Sequence, residues 1–139
     1  MEIIRSIAQL GEPVLRELAI SIEQAEIPDK KALADVMLAT LDQAGGVGLA
    51  APQIFESKCL IIVASKPTKR YPYAPEMTPT VMINPQFIPN NDVLEKDWEG
   101  CLSIPGIRAL VPRFRSIHIV FTNLAGETVE ADFEGFPAR

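Results

Sequence analysis

Apolar positions recur at two spacings along this chain, and the change between them divides it. Leu33, Val36, Met37 and Leu41 fall on one face at helical spacing, which predicts an amphipathic helix beginning after Pro28-Asp29, with Asp29 as its N-cap. Gly45 and Gly46 should stop that helix, because glycine takes the left-handed conformation that closes a helix end. Upstream, Gly11-Glu12-Pro13 followed by Val14-Leu15-Arg16 predicts a single helical turn. Downstream the period shortens. Cys59 to Ala64, Thr80 to Asn84 and Ile117 to Thr122 are rich in β-branched and apolar residues and predict strands. Asn123 to Gly126 predicts a turn, after which Val129, Ala131 and Phe133 alternate as one face of a returning strand. Lys66 to Pro79, with its prolines and two tyrosines, predicts a long surface loop. The pattern is that of an α+β fold, an N-terminal helix packed on mostly antiparallel sheets, with residues 1–139 as one domain.

Composition narrows the functional classes. The 139 residues are 47% apolar and 22% charged, the balance of a globular chain able to bury a core. The formal charge of −5 argues against nucleic acid as a partner. The basic group Arg108, Arg113 and Arg115 is too small to reverse that. There is no apolar run of membrane-spanning length, and Glu2, Arg5 and Gln9 break up the N-terminus where a secretory signal would be apolar. Of two cysteines, Cys59 lies in the run Leu60-Ile61-Ile62-Val63 and is expected to be a buried strand residue. A cytoplasmic protein without membrane association is the expectation.

Two stretches carry candidate chemistry. In Gly45-Gly46-Val47-Gly48-Leu49-Ala50-Ala51-Pro52-Gln53, a helix precedes the glycines and Pro52 follows them. That context is the reverse of the strand-then-helix a dinucleotide fingerprint needs. Two readings stand: a helix cap running into an extended segment, or a backbone wall that a ligand approaches closely, with Gln53 beside it. In Trp98-Glu99-Gly100-Cys101-Leu102-Ser103-Ile104-Pro105-Gly106, a cysteine next to glycine is less enclosed than one in an apolar strand, which suits a thiolate ligand or nucleophile. A cysteine nucleophile would need a base, and His118, the one histidine, is expected to be the outward residue of a strand. A metal site would need three or four ligands, and no His-x-x-x-His pair is present. Glu127, Glu130, Asp132 and Glu134 are expected to mark an exposed strand face.

Taken together, the two stretches resemble the peptide deformylase family, metal-dependent hydrolases that remove the formyl group from the N-formylmethionine of new proteins. Gly46 to Gln53 is similar to the family's first motif and Glu99-Gly100-Cys101-Leu102-Ser103 to its second. The N-terminal turn, the helix, Asn84-Pro85 and the segment from Ile104-Pro105-Gly106 to Pro112-Arg113 follow in family order. The resemblance implies Cys101 as a thiolate ligand to the metal. It gives the Leu102 N–H and the Gln53 amide as donors to the formyl oxygen, donors of a kind worth several kcal/mol in a transition state. Gly46, Val47 and Gly48 are implied to line the groove that pairs with the peptide backbone, and Glu99 and Arg108 to shape the mouth of the methionine pocket. It further implies Fe²⁺, or Zn²⁺ or Ni²⁺, as cofactor, N-formylmethionyl peptides as substrate, and association with the ribosome.

The family's third motif, His-Glu-x-x-His on a helix, supplies two metal ligands and the glutamate that handles protons. By the resemblance it should begin a few residues beyond Phe136-Pro137-Ala138-Arg139. The expectation is thus a C-terminally truncated deformylase-like chain that binds no metal tightly and is inactive by itself. A natural shortened form, a cut form and a proteolytic product all remain open. A non-catalytic peptide-binding or self-associating protein reusing the groove is the alternative. A helix burying about four or five large apolar side chains contributes on the order of 6–15 kcal/mol, comparable to a domain's whole stability. The face it would cover is therefore expected to be closed by self-association or by chain rearrangement.

Overall fold

The protein is described here from a computed structural model, for residues 3–139. The one α-helix among the described residues, α1 (Lys31–Ala44), buries Ala34, Met37, Thr40 and Leu41 on one face, while Leu33 and Val36 pack against the same core at its margin. Asp29 is not the N-cap. A 3-10 helix over Gln24–Lys30 runs directly into α1, so the residue before the helix is Lys30, already in helical conformation. The chain is turned earlier, where the Glu26 carboxylate accepts the Glu23 N–H at 2.9 Å, a bond that also holds the Glu26 carboxyl below its ordinary pKa. At the other end Gly45 is left-handed (φ 67°), and the Gly45 and Gly46 N–H groups return to the carbonyls of Asp42 and Leu41. The predicted turn at Pro13–Arg16 is a short 3-10 helix.

Seven strands follow: β1 (Gly48–Ala50), β2 (Leu60–Val63), β3 (Thr80–Pro89), β4 (Leu94–Cys101), β5 (Ile104–Phe114), β6 (Ser116–Thr122) and β7 (Thr128–Glu134). Five form an antiparallel sheet in the order β1-β2-β3-β6-β7, and β4 and β5 form a separate two-stranded sheet. This is the expected α+β architecture. Strands β1, β4 and β5 were not marked by the hydrophobic pattern. Strand β1 is built of small residues, and most of β4 and β5 is exposed, so neither shows the alternation of a half-buried strand. Cys59 also differs from expectation: it lies half-buried at the entrance to β2, its thiol donating to the Ala19 carbonyl at 3.4 Å.

Strand β3 runs past Asn84 through a bulge. Pro85 cannot donate to a ladder, and Asn84 adopts a left-handed backbone (φ 50°). The Asn84 side chain fastens the bulge to the N-terminal segment, accepting the Ile22 N–H and donating to the Ile22 carbonyl, both at 2.9 Å. The core lies mainly between α1 and one face of the sheet, around Met37, Leu41, Ile54, Leu60, Ile62 and Ile83. A smaller cluster, Met82, Ile119 and Phe121, lies on the other face with Ile61, Val63, Val129, Ala131 and Phe133 against it. No helix of the described residues is long and apolar enough to cross a membrane.

Candidate functional site

The two glycine-containing stretches, 53 and 101 residues into the chain at their key side chains, meet in space. After β1 the chain turns through a 3-10 helix, Ala51–Ile54, with Pro52 in its first turn. That turn points Gln53 back along the strand it has just left. Gln53 Oε1 accepts the Ala50 N–H at 2.9 Å, and Gln53 Nε2 donates to the Ser103 hydroxyl at 3.0 Å. With both ends of the amide held, Nε2 stands 3.8 Å from Cys101 Sγ. Two of the candidate side chains are thus neighbours, and the flip state of the amide is fixed by an acceptor on one side and a donor on the other.

Cys101 closes β4, and its thiol is free and exposed. The β4–β5 ladder slips between Gly100 and Cys101: Gly100 opposes Arg108 but Cys101 opposes Ile104. Leu102 and Ser103 form the tight turn between the strands, and among the described residues no hydrogen bond is found from the Leu102 N–H. Its carbonyl accepts Gln9 Nε2 at 3.3 Å.

Packing explains why glycine precedes this site. A Cβ on Gly46 would stand 2.9 Å from Cδ1 of Leu102 and 2.9 Å from Cδ1 of Leu41. The absence of a side chain there lets the Leu102 turn sit on the end of α1. The Val47 carbonyl is taken up by the Ala64 N–H at 2.8 Å, and Gly48 pairs with Val63. Because β1 is an outer strand of its sheet, one row of its peptide groups faces away from β2. The N-terminal segment ties the parts together: the Ala8 N–H donates to the Gln53 carbonyl at 2.6 Å and the Leu10 N–H to the Ser103 carbonyl at 2.9 Å.

Glu99 and Arg108 are not brought together. Glu99 faces a cavity of about 530 Å³ between the two sheets, lined also by Val47, Val63, Ile119, Phe133 and Phe136. Its carboxylate is held by both donors of Arg113, at 2.9 and 3.0 Å, and by Arg139 at 2.7 Å. These arginines, Arg113 first, hold the Glu99 carboxyl below its ordinary range. Arg108 instead borders a second cavity of about 360 Å³. There it donates to the Arg70 carbonyl at 2.6 Å and lies 5.4 Å above the Tyr71 ring.

Several residues that shape the site had no role in the sequence. Ser103, buried at 4% exposure, orients Gln53. Tyr71, in the Lys66–Pro79 loop, bonds to the backbone of Gly100. Only Ser103 was signalled, by lying inside the second motif; the others depend on long-range contacts. His118 is an outward strand residue as expected, beside Asp132 (Nδ1 at 3.0 Å) and Glu130 (Nε2 at 3.5 Å). Among the described residues no group of three His, Cys, Asp or Glu side chains is placed to hold a metal ion.

Comparison with known proteins fits this geometry. The polypeptide deformylase family model matches residues 4–139. Peptide deformylase 2 of Nostoc is 45% identical over 133 residues, covering 96% of this chain and 74% of that protein. Peptide deformylase 1 of Bordetella pertussis is 43% identical over 136 residues, covering 98% of this chain and 77% of that protein. The crystal structure of Met-Ala-Ser-bound class I type b peptide deformylase from Acinetobacter baumannii superposes with a TM-score of 0.96 at 42% identity, over 100% of this chain and 89% of that one. With the family model matched over residues 4–139, and with identity and superposition spread over almost its whole length, this chain belongs to the peptide deformylase family.

Proposed function

We propose that these residues form the formyl-binding half of a peptide deformylase site acting on N-formylmethionyl peptides. The observation that carries this reading is the Gln53 amide, held at both ends and 3.8 Å from Cys101 Sγ. One hydrogen of Nε2 goes to Ser103 and the other makes a long contact with Cys101 Sγ, which an oxygen placed beside the thiol would replace. The Leu102 N–H offers a second donor from the adjoining turn. Together they would hold the formyl oxygen as charge develops on it, without reorganising at that moment. Gly48, on the outer strand β1, with Gly46 and Val47 leading into it, would line the groove where a peptide backbone adds alongside that strand.

Cys101 is the residue that would contribute a thiolate to an Fe²⁺, Zn²⁺ or Ni²⁺ centre, which in the family activates water. Among the described residues Cys101 is the donor this place supplies, its thiol free and exposed. Their contribution is to bind and orient the peptide and its formyl group. Glu99, neutralised by two arginines, would act on the pocket by fixing the β4–β5 hairpin and not by contacting substrate.

Titration of this polypeptide with formyl-Met-Ala-Ser against Met-Ala-Ser, with and without added Fe²⁺, Zn²⁺ or Ni²⁺, tests the reading. Preference for the formylated peptide, lost in Gln53→Ala, is expected, with no turnover above blank. Equal binding of both peptides would remove its basis, and turnover would overturn the claim that these residues are inactive alone. The second reading, a peptide-binding or self-associating protein, is favoured by the apolar lining of the 530 Å³ cavity. Sedimentation should show association beyond a monomer, and a monomer that binds no apolar dye would exclude it.

A further inference from the structure

Tyr71 stands at the point where the cysteine-bearing strand loses its register. Its hydroxyl accepts the Gly100 N–H at 2.7 Å and lies 3.3 Å from the Gly100 carbonyl, to which it donates. A strand that slips between Gly100 and Cys101 needs an outside partner at the slip, and one phenol serves both backbone groups of the residue before the cysteine.

Tyr71 is itself held from three sides. Its backbone N–H donates to Thr68 Oγ1 at 3.1 Å, within the loop. The Arg108 guanidinium lies 5.4 Å above the ring while bonding to the Arg70 carbonyl, so it fixes both the ring and the loop backbone beside it. Phe136 packs against the ring with centroids 4.9 Å apart and planes inclined by 51°. Tyr71 borders both cavities and forms part of the wall between them. Crowding does not explain this arrangement: a Cβ on Gly100 would meet its nearest neighbours, among them the Tyr71 hydroxyl, at an ordinary 3.8 Å.

We infer that Tyr71 is a positioning residue, which sets the placement of Cys101 opposite Gln53 by holding both backbone groups of Gly100, with Arg108 bracing it. The Lys66–Pro79 segment is then a latch on the cysteine strand and not merely a connection. The inference rests on the proposed role of Cys101, but its test needs neither metal nor substrate.

Tyr71→Phe removes the hydroxyl and keeps the ring against Arg108 and Phe136. Amide hydrogen exchange at Gly100 should accelerate at least tenfold. At one fixed pH, alkylation of Cys101 by iodoacetamide, mapped by mass spectrometry, should change at least threefold relative to Cys59 in the same molecules. Cys59 is the internal reference because its thiol bonds to Ala19, away from the latch. The thermal midpoint should move by only a few degrees. Equal changes at both cysteines would show a purely structural role and overturn the inference. So would an unchanged Cys101 rate, or unchanged exchange at Gly100. Gly100→Ala, for which there is room, should leave the ratio of the two rates near that of the parent, and a shift as large as that of Tyr71→Phe would count against the hydroxyl as the cause. A positive result here with no formyl preference in the peptide titration would leave Tyr71 as a latch while removing the deformylase reading of the site.

Discussion

The two faces of the five-stranded sheet are built from alternate residues of the same strands, yet they end differently. On β2, Leu60 and Ile62 face α1 and are fully enclosed, while Ile61 and Val63 face the cavity and are only partly covered. On β6 and β7 the cavity side carries Ile117, Ile119, Phe121, Val129, Ala131 and Phe133, as apolar a row as any in the molecule. One face is therefore closed over its core, while the other buries Met82, Ile117, Ile119 and Phe121 yet still borders open space. The difference is not in the residues but in what lies across from them. On the first face that is a helix. On the second it is the β4–β5 hairpin and the segment Phe136–Arg139, with about 530 Å³ between. Apolar pattern alone thus says that a face is meant for burial, not that burial has been completed.

Truncating neighbouring residues of one strand separates the two faces. Ile62→Ala should cost about 2–5 kcal/mol in denaturant unfolding, since it leaves a void beneath α1. Ile61→Ala opens onto space already present, so only the transfer part of the cost applies, roughly 1–2 kcal/mol. Equal losses would mean the second face is packed as tightly as the first. Enlarging a side chain is the converse measurement. Ala34→Leu, at a completely buried position of α1, should destabilise by about 1–3 kcal/mol. Ala131→Leu, on the cavity side, should cost less than about 1 kcal/mol or stabilise the fold.

The faces also differ in how much the sequence disclosed. The helix, its glycine stop and the strands β2, β3, β6 and β7 were legible because each has one face enclosed, which imposes a period on the residues. Strands β4 and β5 were not, since a two-stranded ribbon exposed over most of its length places no such demand on Glu95, Lys96 or Asp97. Asp29 misled because a capping residue was expected where a 3-10 helix supplies the helical start instead. Gln53 and Cys101 were recognisable by family resemblance, but the reason for their approach lies in Ser103, Ala50 and the strap through Ala8 and Leu10. Glu99 adds a second case. The resemblance implied a residue at the mouth of a pocket, and the structure adds what its carboxylate does beside the cavity, which is to accept from Arg113 and Arg139.

That engagement gives the closing contacts of the second face their own signature. Arg139, 8% exposed in its side chain, donates to Glu99, to the Val111 carbonyl at 2.8 Å and to the Glu95 carbonyl at 2.5 Å, spanning both strands of the hairpin. Arg139→Ala should cost about 1.5–3 kcal/mol, the range for hydrogen bonds to a charged group. Because Glu99 titrates lower folded than unfolded, its contribution is present above its unfolded value, about 4.5, and is lost as pH falls through the depressed one. Glu99→Gln should therefore flatten the stability profile on the acid side of that value and nowhere else. An unchanged acid limb would mean the arginines do not act through this carboxylate.

The smallest expected effect lies at the solvent-facing end of the opposite face, where α1 no longer covers the sheet and His118 sits between Glu130 and Asp132. Asp132 first, then Glu130, raises the His118 pKa, so the folded protein holds that proton to higher pH than the unfolded chain does. The sign is opposite to that of Glu99. The His118 contribution is complete below its unfolded value, about 6.5, and disappears as pH rises through the raised one. His118→Gln should abolish this alkaline-side slope and also remove the small acid-side contribution of Asp132, whose carboxyl His118 holds low, while the part of the acid limb set by Glu99 stays. High salt should shrink the His118 slope more than the Glu99 effect, because His118, Glu130 and Asp132 face solvent whereas Glu99 and Arg139 are largely enclosed. If salt reduced both alike, the carboxylate at the cavity would be as wet as the histidine on the surface. The second face would then be open to solvent at its hairpin edge, not closed there by Arg139.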